Sequence, residues 1–190
     1  MPISKVKSAS ITTDAVGPTQ LNEASNYSFT GTVTGAGEPN PLSLFARWDS
    51  SAFTHGGSAS TLMTGWSQIH SSSAVLGHSS GTFSFPSTGY YLIQANCSMT
   101  TYPGSDARNL SLQIHTTSNN SSYSAVHSSQ THIRDVGDAT HAGASFTFME
   151  DVTDITNQKF RIYGYSATTP SNTTLQFSSI VMTVARLGDT

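Results

Sequence analysis

From Tyr91 onward the chain alternates: Tyr91, Ile93, Ala95, Cys97 and Met99 are apolar or aromatic, while Gln94, Asn96, Ser98 and Thr100 between them are polar and uncharged. A side-chain period of two belongs to a strand that turns one face to a core and the other to water. The same alternation returns in Leu110, Leu112 and Ile114, with Ser111, Gln113 and His115 between them, and again in Ala144, Phe146 and Phe148. Further strand-like runs span Lys159 to Tyr165 and Leu175 to Val184. Clusters such as YPGSD, TTSNNSS, VGDATHAG and ATTPSNT separate them, rich in residues that fix turns or tolerate positive φ. Helical periodicity is missing except for one turn's length around Asp151 to Asn157. Residues 42–190 are therefore expected to be all-β, a sandwich or jelly roll of short antiparallel strands.

The 190-residue chain is long enough to bury a core without disulfide or metal staples. Its 58 Ser and Thr residues against three Lys and five Arg give a polar but nearly uncharged surface. With a net charge of -3 there is no basic stripe to neutralise phosphates, so nucleic acid is not an expected partner. The start, MPISKVKSASITT, lacks a signal-peptide apolar core, and no run of about 18 apolar residues could span a bilayer. The expectation is a soluble chain made in the cytoplasm, with no membrane insertion. The single Cys97 lies on the apolar side of its strand and reads as a buried thiol. Six N-x-S/T sequons, at Asn26, Asn96, Asn109, Asn119, Asn120 and Asn172, follow from the Ser, Thr and Asn richness.

Residues 1–41 differ in character. ITTDAVGPTQL and NYSFTGTVTGAGEPNP carry isolated β-type residues, no dense apolar face, and a Gly/Pro-rich close that marks a boundary. Such a segment alone cannot bury enough surface to offset its ordering entropy, so order in it would come from sister subunits or a larger assembly. It is expected to be an extended anchoring arm, with Ile3, Val6, Ile11, Val16, Leu21, Tyr27, Phe29 and Val33 as its anchor residues.

The stretch GTFSFPSTGYYLIQANCSM, Gly81 to Met99, carries a resemblance. Phe83, five residues, Gly89, one residue and Tyr91, followed by alternating apolar positions, is similar to the central signature of the C1q-like domain, shared by complement and tumour-necrosis-factor-type proteins. Leu76, seven positions before Phe83, fits that family's upstream apolar position. Pro86 removes a ladder donor and ends one strand, Gly89 permits the tight turn, and Tyr91 starts the next strand with its ring inward. ASFTFMEDVTDITNQKFRIYGYS and LQFSSIVMTVARL also resemble the family's late strands, so the likeness covers roughly Leu42 to Leu187. Ile93 and Ala95 stand where aromatics are usual, Ser71 replaces an expected Asn or Asp, and no collagen repeat precedes the head. The core and fold-motif positions are then Phe83, Phe85, Pro86, Gly89, Tyr91, Ile93, Phe146, Phe148, Phe160 and Ile162. The resemblance implies a homotrimer closed around a shared apolar seam. The arm's TDAVGPTQL and NYSFTGTVTGAG are similar to Ala/Thr/Gly-rich segments near the start of tail-fibre and head-fibre proteins of tailed bacteriophages.

Plainer roles suit the motifs that match catalytic or metal-binding patterns in form. GHSSG at Gly77 to Gly81 matches the nucleophile elbow in form, but the TFSF that follows is strand-like where that motif needs a helix, so a turn is expected. His127, His132 and His141 lack metal-site spacing and are expected in solvated or inter-subunit positions. Glu150, Asp151 and Asp154, and Asp135 with Asp138, match no calcium loop; capping and turn roles are expected for Asp151 and Asp154. Trp48, Trp66, Tyr90, Tyr102 and Tyr123 divide between core and surface, and Tyr163 and Tyr165, on the face opposite Phe160 and Ile162, are expected to contact a subunit or partner.

These readings converge on a non-enzymatic virion structural protein without cofactor or metal. It would be a homotrimeric capsid decoration or cement protein, or a head-fibre knob, made in the host cytoplasm, displayed on the virion surface, and joined through its arm to major capsid or tail proteins. Two alternatives stay open: a tail-fibre receptor-binding knob touching a host surface glycan, and a soluble lectin-like carbohydrate-binding module.

Overall fold

A computed structural model describes residues 44–55, 59–72, 76–101, 107–134, 136–167 and 175–190. The segment expected to be an anchoring arm, with the expected anchor residues Ile3, Val6, Ile11, Val16, Leu21, Tyr27, Phe29 and Val33, lies outside the described residues, as do Tyr102 and Asp135. Twelve strands follow in chain order: β1 Phe45–Ser50, β2 Phe53–His55, β3 Ser60–Leu62, β4 Trp66–Ser71, β5 Gly77–Ser79, β6 Thr82–Ser84, β7 Gly89–Thr101, β8 Ala107–Thr117, β9 Ser124–Ile133, β10 Thr140–Val152, β11 Lys159–Tyr165 and β12 Leu175–Gly188. Among the described residues there is no helix; residues 155–157, in the stretch with one turn of helical spacing, form a turn between β10 and β11.

The strands form two antiparallel sheets. Sheet A runs β10-β7-β12-β1-β4 with β2 paired to β12, and sheet B runs β5-β6-β11-β8-β9 with β3 paired to β11. Neighbours in each sheet come from distant parts of the chain, as β7 beside β12 shows, so most pairings are long-range closures. Alternation decides which way each strand faces. Along β7 the odd positions Tyr91, Ile93, Ala95, Cys97 and Met99 are buried, while Tyr90, Gln94 and Asn96 are exposed. Along β11 Phe160 and Ile162 are buried and Arg161, Tyr163 and Tyr165 are half-buried on the other side.

Aromatic rings fill the space between the sheets. Phe83 and Phe160 are cross-strand partners in sheet B, stacked with centroids 4.9 Å apart and planes at 11°. Trp48 from sheet A meets Phe83 edge-on at 5.3 Å, Trp66 does so at 5.6 Å, and Phe85 packs on Tyr91 at 4.6 Å. Each such pair adds about 0.5–1.5 kcal/mol to the burial of its apolar area. Phe146 is buried in the same core and Phe148 is packed against it, half-buried.

Two glycines set the connections around the central motif. Ser80 and Gly81, both at positive φ (48° and 81°), join β5 to β6 in the two-residue hairpin whose twist suits its strands. Gly89, at φ 138°, opens β7 directly after the bend at Pro86 to Thr88. The Tyr91 hydroxyl reaches back to donate to the Ser87 carbonyl at 2.8 Å, which fastens that bend to the strand.

Candidate interaction surfaces

The GHSSG, cysteine, histidine and described acidic positions occupy strands and turns of the two sheets. GHSSG is β5 and the two-residue turn before β6, with Ser79 exposed in a strand pair and no helix after it. His78, from that hairpin, packs its ring on Phe83 at 4.7 Å, and burial lowers its pKa. Burial pushes the Cys97 thiol up to about 12, so it stays protonated and inert as a nucleophile. Among the described residues no three His, Cys, Asp or Glu side chains cluster as metal ligands. His127 and His132 sit on β9 and His141 on β10, all exposed, with His141 Nδ1 at 2.9 Å from the Thr100 hydroxyl. Asp154 takes the turn role: its carboxylate accepts from the Thr156 and Asn157 backbone N–H groups, which holds its pKa low. Asp151 does not cap this turn through its side chain; it is exposed on β10, and Gln158 makes the remaining turn bonds, donating to the Asp151 carbonyl and accepting from Thr153 and Asp154. Glu150 is raised by burial on the same strand.

The outward face of sheet A is the larger apolar surface. Register places Met149 opposite Leu92, Leu92 opposite Ala185 and Ala185 opposite Phe45, one continuous row across four strands. These positions alternate with core residues and so lie on the outward side of the sheet, where Leu92 is half-buried and Ala185 buried between its neighbours. Met149 is 60% exposed and Phe45 39%, and Tyr90 and Leu187 extend the apolar end at 40% and 46%. The neighbouring row, Thr147, Gln94, Thr183 and Arg47, is polar, and Arg47 is tied to Asp49. The sequence pattern assigns these positions only to the solvent side. Their juxtaposition follows from sheet order, which local alternation does not encode.

The outward face of sheet B is of another kind. Arg161, Tyr163 and Tyr165 line one side of β11, opposite His115, Gln113 and Ser111 of β8. Tyr163 packs on the His115 ring at 4.2 Å, and Arg161 lies 3.7 Å over the ring of Tyr123 while its Nε donates to the Thr82 hydroxyl at 2.9 Å. Tyr123 is presented by the turn after β8, where the Asn119 side-chain oxygen accepts from the backbone of Ser121 and Ser122. His115 is lowered in pKa by burial and by the Arg161 charge, so it is neutral at pH 7. Tyr163 and Tyr165 thus lie on a mixed aromatic and polar face, away from the apolar row of sheet A.

No family model matches the sequence, and comparison with curated proteins gives no match. Solved structures do resemble the fold. Murine APRIL aligns at TM-score 0.54 with 8% identity over 76% of this chain and 99% of that one. The globular domain of zebrafish complement 1qA aligns at 0.52 with 10% identity over 79% and 100%. PRD1 vertex protein P5 aligns at 0.45 with 13% identity over 78% and 99%, too loose a likeness to bear on function. At such identities the likeness speaks for architecture alone, and it agrees with the sheet order above: the described residues form an all-β jelly roll of the TNF/C1q type.

Proposed function

We propose that this chain is a non-enzymatic virion structural protein, a homotrimeric capsid decoration or cement protein or head-fibre knob displayed on the particle surface. The observation that carries the trimer is the row Met149, Leu92, Ala185 and Phe45 with Tyr90 and Leu187 beside it. Among the described residues, five of the eight exposed large hydrophobic side chains, Phe45, Ile69, Tyr90, Met149 and Leu187, belong to strands of sheet A. A surface that concentrates its apolar side chains on one face gains by covering that face. Three copies closing around a threefold axis would bury it as the shared seam that the C1q-like resemblance implies. Covering about 300 Å² of apolar area per copy would contribute roughly 7 kcal/mol, to be set against an association cost of about 4–15 kcal/mol. The virion setting rests on residues 1–41, whose resemblance to phage fibre segments gives the arm its role as the tether to major capsid or tail proteins after synthesis in the host cytoplasm.

Light scattering on the full chain tests the seam, with a mass three times the 20.1 kDa chain expected. Leu92→Glu places a charge in the middle of the row and should yield monomers that keep the wild-type circular dichroism spectrum. Deleting residues 1–41 should leave the trimer intact and abolish its incorporation into particles. A monomeric wild-type chain would sink the seam, and particle attachment without the arm would sink the tether.

A further inference from the structure

We propose that the outward face of sheet B binds an acidic saccharide, its carboxylate held by Arg161 and a sugar ring laid against Tyr163. This inference stands independently of the virion reading. Arg161 is one of only eight cationic residues in the chain, yet it is half-buried on a sheet face with no carboxylate at ion-pair distance among the described residues. Its Nε is used by Thr82 and its plane is covered by Tyr123, which fixes the fork's orientation. Its two terminal nitrogens meet no acceptor among the described residues. A planar guanidinium so held is matched in shape and charge by a carboxylate, to which it donates two parallel hydrogen bonds. Lys159, two residues earlier and half-buried on the same side of β11, adds a second positive charge.

The groups around Arg161 suit a sugar better than a peptide side chain alone. Tyr163 stands two residues further along β11, roughly 7 Å away, and its ring is buttressed by His115. Beside it, Gln113 accepts from Ser60 and shares a 3.1 Å hydrogen bond with His115 Nε2, while its own amide donates to Ser111. This network, anchored on the buried Ser111 hydroxyl, holds the Gln113 amide and the exposed Ser60 hydroxyl in place across from Tyr163, where sugar hydroxyls would meet them. His115 is neutral at pH 7 through burial and the Arg161 charge, so it supports Tyr163 without adding a cation. The face is also distinct from the apolar row on sheet A, so trimer closure there leaves it open.

The test uses the intact chain in calorimetric and NMR titrations. The probes are galacturonic acid trisaccharide, its methyl ester, and 3′-sialyllactose. Binding of at least one acidic probe is expected, with chemical-shift changes at Arg161, Tyr163 and His115. The ester, which keeps the rings and loses the charge, should bind about tenfold or more weakly than the acid. Arg161→Gln should weaken the acidic probe by a similar factor, Arg161→Lys by less, and Tyr163→Ala should weaken acid and ester alike. The ester comparison needs no variant, so it decides the matter even if Arg161→Gln fails to fold. Equal binding of acid and ester, unchanged binding by a folded Arg161→Gln, or no binding of either acidic probe would each overturn the proposal. Light scattering of the same samples reads the oligomeric state separately.

Discussion

Replacing Gly89 with alanine is the most demanding test of how the central motif works. Gly89 sits at φ 138°, a region that L residues occupy only under strain, at a cost of about 1–3 kcal/mol. A methyl there would run into the Gly188 carbonyl oxygen and stand 2.6 Å from Arg186 Nε. Arg186 is 8% exposed, its Nε donates to the Thr88 carbonyl at 2.9 Å, and its guanidinium is paired with Asp189. Displacing that side chain forfeits a charge-assisted hydrogen bond worth roughly 1.5–3 kcal/mol. Together the two effects predict a loss of about 2.5–6 kcal/mol for Gly89→Ala. Gly188→Ala is the control: its added methyl meets nothing within 4 Å, and a loss under about 1 kcal/mol is expected. Both variants would be unfolded in urea beside the wild type at one protein concentration, because the apparent stability of the proposed trimer would depend on that concentration. Gly89 and Arg186 also adjoin Tyr90 and Leu187 at the apolar end of sheet A, so Gly89→Ala should weaken the proposed trimer as well. A Gly89→Ala variant within about 1 kcal/mol of wild type would refute the steric argument.

Three further outcomes are expected. Tyr91→Phe removes the 2.8 Å bond to the Ser87 carbonyl while keeping the buried ring, and should cost about 1 kcal/mol in the same urea titration; no change would mean the bend needs no clip. Cys97, with its thiol pushed up to about 12, should resist iodoacetamide at pH 8 in the native protein and react once urea unfolds it; fast native labelling would contradict its burial. His78 and His115 both have folded pKa values below the ordinary 6.5, so the unfolded chain binds more protons there. Their stabilisation is complete above pH 6.5 and is lost as pH falls through the lower folded values; the double variant His78→Gln/His115→Gln should flatten that part of a stability profile, and an unchanged slope would assign it to other groups.

How much was legible in the sequence differs from residue to residue. The alternation of β7 and β11 sorted Tyr91, Ile93, Phe160 and Ile162 from Tyr90, Tyr163 and Tyr165, because a pleated strand sends neighbours to opposite faces and needs no partner to do so. Pro86 and Gly89 announced the bend before β7 through constraints carried by the residues themselves. The GHSSG run read as a turn because the TFSF after it is strand-like where a nucleophile elbow needs a helix. Asp151 was less legible: its type suits a turn, but β10 extends through Val152 and leaves that role to Asp154, since strand pairing with β7 outweighs a local preference.

By itself, then, the sequence determined the strand class, the inward residues and the punctuation between strands, all of which are local consequences of side-chain chemistry and period. Only the tertiary structure decided which strands became neighbours. Met149, Leu92, Ala185 and Phe45 are far apart in the chain and become one apolar row because β10, β7, β12 and β1 pair in that order. Arg161, Tyr123 and Thr82 likewise meet only because β6 and β8 flank β11, with the turn after β8 carrying Tyr123. Surfaces of this kind are products of long-range pairing, whose energy lies in backbone ladders and a shared core, and no local pattern of residues records it.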